Sequence, residues 1–206
     1  MKLKLNMKKI ILSIVILCLS ACSKKITELP ENAKIVAFGD SLTSGVGADN
    51  ISKSYIAHLA QSLGITIINK GVGGNTTAKA LARIQTDVID LEPQPEVAII
   101  LLGGNDFFKG IPQATTEENL KQIVDLIKKD GIKVILLGIS RLHFPDYEKM
   151  IQSIAMQKNV NYVPAILDGI VDAEDLMNDL KHPNSDGYKL MSQRIEPTLI
   201  RVLLED

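Results

Sequence analysis

The sequence predicts an α/β sandwich of three layers around a mostly parallel, five-stranded sheet. Two observations carry this expectation. Five short apolar runs rich in valine and isoleucine recur along the chain, and stretches with a helical apolar period lie between them. Strict alternation of the two is the pattern of a parallel sheet with crossover helices, whose ligands sit beyond the carboxyl ends of the strands.

The runs fall at Lys34–Phe38, Ile65–Asn69, Val97–Leu102, Lys133–Ile139 and Asn161–Ala165. Each is short enough for a buried strand. The helical stretches are Tyr55–Leu63, Thr76–Leu91, Thr116–Lys129, Tyr147–Gln157 and Asp186–Leu204. In the third, Leu120, Ile123, Val124 and Ile127 share one face, and Gly131 follows as a stop signal. One domain spanning residues 33–206 is expected, with no internal repeat or low-complexity tract.

The first 21 of the 206 residues read differently. Lys2, Lys4, Lys8 and Lys9 precede the apolar segment Ile10–Ser20, which has the length of an export signal and is shorter than the roughly 20 residues that span a bilayer. Met7 opens a complete signal of the same kind. Leu19-Ser20-Ala21-Cys22 resembles the bacterial lipobox, which implies cleavage before Cys22 and acylation of that cysteine. An uncleaved anchor or a plain secretory signal would equally imply export. Residues 22–32, polar and containing Pro30, then form a tether. With Ser23 after Cys22, the resemblance points to the outer membrane in a two-membrane cell.

This division bounds the chemistry. The leader holds four of the 23 basic residues and none of the 24 acidic ones, so the remaining chain carries a net charge of −5. An acidic balance of this kind gives no basic signal for nucleic acid binding. The two cysteines, Cys18 and Cys22, lie in the leader and at the lipidation position, which leaves no thiol for catalysis, a disulfide or a metal cage. His58, His143 and His182 lack metal-ligand spacing, so no metal is expected.

Three successive strand ends carry small residues beside polar ones: Gly39-Asp40-Ser41, Gly71-Val72-Gly73-Gly74-Asn75-Thr76, and Gly103-Gly104-Asn105-Asp106. Glycine there lets the backbone turn sharply and approach a ligand closely. The cluster matches neither the phosphate-binding loop nor the dinucleotide fingerprint, and no G-x-S-x-G is present. Late in the chain, Asp179 stands three residues before His182, close enough to hold one imidazole tautomer by accepting the Nδ1 proton. Ser185 or Asp186 is expected to cap the helix that follows. Asp40 and Asp106 read as loop anchors, and His58 and His143 as structural or surface histidines. Phe107 and Phe108 either line a pocket or fill the core.

The blocks "FGDSLTSG", "NKGVGGNTT", "LLGGNDFFKG" and "DLKHPN", in this order, resemble the SGNH or GDSL hydrolases, and most of all their bacterial arylesterase, lysophospholipase and thioesterase I group. The resemblance implies a flavodoxin-like fold and a serine esterase acting on carboxylic esters or thioesters through an acyl-enzyme, without cofactor or metal. It implies Ser41 as nucleophile, His182 as general base and acid, and Asp179 as its orienting partner. The oxyanion hole would comprise the backbone N–H groups of Ser41 and Gly74 and the side-chain amide of Asn105. Many relatives have Gly-Ile where this chain has Leu180-Lys181, a departure that preserves the Asp-to-His spacing and alters the rim. An O-acetyl esterase of envelope or dietary polysaccharide and a non-catalytic binding or envelope lipoprotein are the alternatives. The expected partners are a small ester or thioester and, through Cys22, a membrane; a monomer is expected.

Overall fold

Strand β1 (Lys34–Gly39) shows why the sheet is central: after its exposed first residue, all five positions are buried, so both faces of the strand are covered. The computed structural model describes residue 29 and residues 33–205. The leader and tether assigned to residues 1–32 thus lie outside the described residues, apart from Leu29. Strands β2 (Thr66–Gly71), β3 (Val97–Leu101), β4 (Lys133–Leu137) and β5 (Asn161–Val163) complete a five-stranded sheet. Its order is β2-β1-β3-β4-β5 and every neighbouring pair is parallel. Parallel neighbours require long crossovers, which is what the intervening helices supply.

The strand order reverses at β1, between β2 on one side and β3 on the other. The crevice outside the carboxyl ends of β1 and β3 is therefore the place such a sheet offers a ligand. Helix α1 (Ser41–Ser44) follows β1 directly, and α2 (Tyr55–Leu63) returns to β2. Helix α3 (Thr77–Leu81) lies between β2 and β3, and α4 (Gly104–Phe108) and α5 (Gln113–Lys129) between β3 and β4. Helix α6 (Pro145–Lys158) leads to β5, and α7 (Ser185–Leu204) closes the chain. α2 packs against α7, while α5 packs against α3 and α6, giving one helical layer on each face of the sheet. No helix among the described residues is long and apolar enough to cross a membrane.

Two buried tyrosines connect the α2/α7 layer to the end of β1. Tyr55 and Tyr188 stack at 6.5 Å between ring centroids. Tyr55 shares a 3.1 Å hydrogen bond with Thr43, and Tyr188 donates to the Val46 carbonyl at 2.6 Å. Burial pushes both phenols up, so each remains a neutral donor.

The stretch Thr76–Leu91 is not the single helix its periodicity predicts. α3 stops at Leu81, and after a turn the backbone widens into one π-helical turn, Gln85–Ile89. Arg83 stands at the break. Its guanidinium donates to the Gly39 and Lys70 carbonyls at 2.8 and 3.0 Å, and to Asn75 and Asp87 at 2.8 and 2.7 Å. It also lies 4.1 Å from the centroid of the Phe38 ring. Tying one side chain to the ends of two strands competes with a regular helical course, and it locks the carboxyl ends of β1 and β2 together. Strand β5 ends earlier than predicted, at Val163, because Ala165 turns to a positive φ of 47°.

Candidate active site

Ser41 is the first residue of α1, at the carboxyl end of β1. The turn that presents it is made by its neighbours: the Asp40 carboxylate accepts from the Leu42 N–H at 3.0 Å, and Gly45 ends the short helix at φ +85°. The approach is tight beneath it. A Cβ on Gly39 would lie 2.2 Å from Thr43 Oγ1 and 2.5 Å from the Leu101 carbonyl, and one on Gly71 2.1 Å from the Ser44 nitrogen. Only glycine permits β1, β2 and α1 to converge so closely.

Asn105 reaches the same crevice from α4, beyond the end of β3. Its Nδ2 donates to Asp40 Oδ2 at 3.1 Å, which fixes the plane of the amide and leaves the second N–H of that nitrogen free to point elsewhere. Burial pushes the Asp40 carboxyl up to about 6, against the pull of its hydrogen bonds from Leu42 and Asn105 and of His182 nearby. Asp106, fully buried, accepts from the Thr77 N–H at 2.9 Å, the Thr77 hydroxyl at 2.5 Å and the Thr116 hydroxyl at 3.3 Å. Both aspartates are therefore loop anchors, as the sequence suggested. Gly74, at φ +72°, lines the crevice from the loop after β2, and its carbonyl accepts from Lys109 Nζ at 3.0 Å.

The fourth contribution comes from the loop ahead of α7. His182 Nε2 lies 3.0 Å from Ser41 Oγ, and its Nδ1 lies 2.8 and 3.0 Å from the two oxygens of Asp179. The Asp179 carboxylate also accepts from the backbone N–H groups of Lys181 and His182, at 2.8 and 2.9 Å. Partial desolvation opposes the charge on Asp179, but these bonds outweigh it and hold the carboxyl below its usual value. A charged acceptor on Nδ1 leaves Nε2 as the basic nitrogen facing Ser41. The loop closes on itself through the Asn178 N–H, which donates to the His182 carbonyl at 2.9 Å. Asn184, rather than Ser185 or Asp186, caps α7 by accepting from the Asp186 and Gly187 N–H groups. Ser185 instead donates to Asp49 at 2.9 Å.

Asp40, Ser41, Gly74, Asn105 and His182 line one cavity of about 270 Å³, with Asp179 behind the imidazole. Its polar wall holds Ser41, Gly74, Asn105 and His182, and its apolar lobe is formed by Ile139, Phe144, Leu167 and Val171. Phe108 lines the cavity and is half exposed, and Phe107 packs edge-on against Phe144 at 4.8 Å, so the pair belongs to the rim of the cavity and not to the core. His143 pairs with Asp172 at 2.8 Å outside the cavity lining, and His58 lies on α2, away from the crevice.

Some positioning residues carried no signal in the sequence. Arg83 falls inside the expected helical stretch Thr76–Leu91 with nothing to single it out. Gly47, at φ +96°, is a contact of the histidine loop: a Cβ there would lie 2.5 Å from the Pro183 carbonyl and 2.9 Å from His182 Cβ. Its only visible trace is its place just past "GDSLTSG". Lys109 showed none.

A serine hydroxyl, an imidazole and a carboxylate in series, at the switch point of a parallel sheet and beside an amide side chain, form an arrangement able to activate the hydroxyl for attack on a carbonyl. Residues 37–190 match the GDSL-like Lipase/Acylhydrolase family, and the chain belongs to it as an SGNH-type esterase or acylhydrolase. It is similar to Esterase TesA of Pseudomonas aeruginosa, with 27% identity over 197 residues that cover 89% of this chain and 96% of that protein. A crystal structure of TesA superposes with a TM-score of 0.75 at 27% identity, covering 82% of this chain and 99% of the other. Arylesterase of Vibrio mimicus is 27% identical over 202 residues, 90% of this chain and 94% of its own length. The uncharacterized lipoprotein YqeF of Bacillus subtilis is 36% identical over 115 residues, 50% of this chain and 46% of its own.

Proposed function

We propose that the protein hydrolyses carboxylic esters or thioesters through an acyl-enzyme on Ser41. The observation that carries this reading is the series Asp179–His182–Ser41, with its 2.8 and 3.0 Å contacts. Ser41 Oγ attacks the substrate carbonyl carbon while its proton passes to His182 Nε2. The carbonyl π electrons move to oxygen, and the backbone N–H groups of Ser41 and Gly74 with Asn105 Nδ2–H stabilise that charge. Preset donors of this kind are each worth roughly 3 to 4 kcal/mol in the transition state. The intermediate collapses, the C–O or C–S bond breaks, and His182 gives its proton to the departing atom. Water then repeats the sequence on the acyl-serine, with His182 again as base, and releases the carboxylic acid. Asp179, held ionised by its hydrogen bonds, keeps the imidazole oriented and stabilises its cation.

The apolar lobe beside Ser41, together with relatives named esterase and arylesterase, supports aryl esters, lysophospholipids or acyl thioesters as the substrate class. The test is hydrolysis of p-nitrophenyl esters from acetate to palmitate by the protein and by Ser41→Ala. The variant should retain its fold by circular dichroism and lose activity by about 10⁴-fold or more. A steep fall in rate beyond acetate would favour O-acetyl esters instead. Absence of Ser41-dependent hydrolysis of esters and thioesters would favour a non-catalytic lipoprotein.

Export and lipidation at Cys22 complete the proposal, supported by Leu19-Ser20-Ala21-Cys22 and by the relative named a lipoprotein. Palmitate fed to expressing bacteria should label the protein. Persistence of the label in Cys22→Ser would overturn this part.

A further inference from the structure

The mouth of the cavity is spanned by a contact that the catalytic series does not require. Lys181 Nζ stands 4.4 Å from the centroid of the Phe108 ring, so the loop carrying His182 meets the helix carrying Asn105 above the cavity. Phe108 is supported from behind by Phe107 and Phe144, each at 5.7 Å and edge-on. The aromatic face attracts the ammonium but does not neutralise it. Among the described residues Lys181 pairs with no carboxylate; the acid next to it in space and sequence, Asp179, is committed to the imidazole and the backbone. A cation is thus held in place beside the reacting centre.

The cavity is polarised along its depth. Ile139 and Leu167, each 3% exposed, sit in the apolar lobe, where an unpaired charge would lose its water without compensation. Lys181 and the almost fully exposed Leu180 stand instead on the solvated rim. An apolar acyl chain therefore belongs among the buried residues of the lobe, which leaves the solvated rim for the departing group.

We infer that Lys181 is a specificity-determining residue, and that the preferred substrates are acyl esters whose alcohol portion carries an anionic group such as a carboxylate or phosphate. This inference rests on the acyl-enzyme reading above and adds the charge of the departing group to it. The chemistry is unchanged: the ester C–O bond breaks, His182 protonates the departing oxygen, and the anion leaves with the alcohol past Lys181.

The test compares two chromogenic octanoyl esters on the full chain, 2-nitrophenyl octanoate and 4-nitro-3-(octanoyloxy)benzoate, which differ by a carboxylate on the departing ring. The readout is the ratio of kcat/KM, anionic over neutral. Lys181→Met should lower this ratio by about three- to five-fold, the span expected for one partly solvated ion pair. Lys181→Arg should keep it. Raising the salt concentration should lower the ratio in the wild type and leave it flat in Lys181→Met. A phosphate-bearing octanoyl ester, run in parallel, separates carboxylate from phosphate recognition. A ratio that stays the same in Lys181→Met overturns the role of Lys181 while leaving the hydrolase intact. Loss of both activities in the wild type would instead remove the acyl-enzyme reading, and this inference with it.

Discussion

Ser41 and Asn105 stand at the ends of β1 and β3, beside an Asp40 that is only 4% exposed and glycines with no room for a methyl group. His182 stands on a loop whose Leu180 is 99% exposed and whose bonds are mostly to itself. The first wall is positioned by the sheet core, at the cost of burying a carboxyl group. The second is positioned by a short self-bonded turn that rests on Gly47. Ser41 and Asn105 thus inherit the rigidity of the fold, whereas His182 depends on local bonds and on the contact of Lys181 with Phe108 across the crevice.

The largest effect should come from the rigid wall. Asn105→Ala removes a donor needed mainly in the transition state, so kcat should fall by about 10²- to 10³-fold with little change in KM. Steady-state kinetics on one p-nitrophenyl ester decide this, and an equal loss expressed in KM would assign Asn105 to ground-state binding. Gly47→Ala addresses the loop. The added methyl group meets the Pro183 carbonyl and His182 Cβ in a left-handed backbone, so the base must shift while the sheet is spared. A kcat loss of about 10²-fold, with only a few degrees lost in Tm, is expected, since displacements of the order of an ångström carry such costs. A large fall in Tm with normal kcat per folded molecule would show the loop to be part of the rigid unit.

The smallest effect on rate, and the sharpest contrast between the walls, concerns pH. Asp40 has its carboxyl raised from 3.8 to about 6 in the fold, so the stability it contributes is fully present below the lower value and lost as pH rises through the upper one. The loss amounts to about 3 kcal/mol at neutral pH. Asp179, held low, behaves oppositely: its contribution is present above its unfolded value and is lost only in more acidic solution. Asp40→Asn should therefore abolish the decline in stability between about pH 4 and 6 in urea unfolding. The same variant presents an NH₂ group to Asn105 in place of an acceptor, and kcat should fall by about tenfold, near the worth of one lost hydrogen bond. Equal pH dependence in variant and wild type would show that Asp40 is not the group responsible.

Much of this architecture was legible in the sequence because it follows from periodicity. The five apolar runs became the five strands within a few residues, since buried parallel strands need continuous apolar positions. Ser41, Gly74 and Asn105 drew notice because three strand ends carry small residues beside polar ones, Asp179 and His182 because of their spacing, and the roles expected of them came from the family resemblance; the structure brings Ser41, Gly74, Asn105 and His182 around one cavity, with Asp179 on the imidazole. What escaped were features set by tertiary contacts. The break at Arg83 follows from carbonyls on two strands, Asn184 and not Ser185 caps α7 because Asp49 engages the serine, and Lys181 meets Phe108 only once the sheet brings residues 73 positions apart together. One-turn helices such as α1 and α4 are too short to show a period.

Ser41 and His182 are 141 residues apart, and Tyr188, which bonds the turn after Ser41, comes later still. During synthesis the serine emerges early and can have no imidazole partner until residue 182 has been made and its loop has docked. On the proposed mechanism, hydrolysis would then report on folding through residue 182, since a fragment ending before it keeps Ser41 and lacks His182. Because the imidazole lies just ahead of α7 in the chain, the Ser41–His182 contact can form only after all five strands around the pocket have been made.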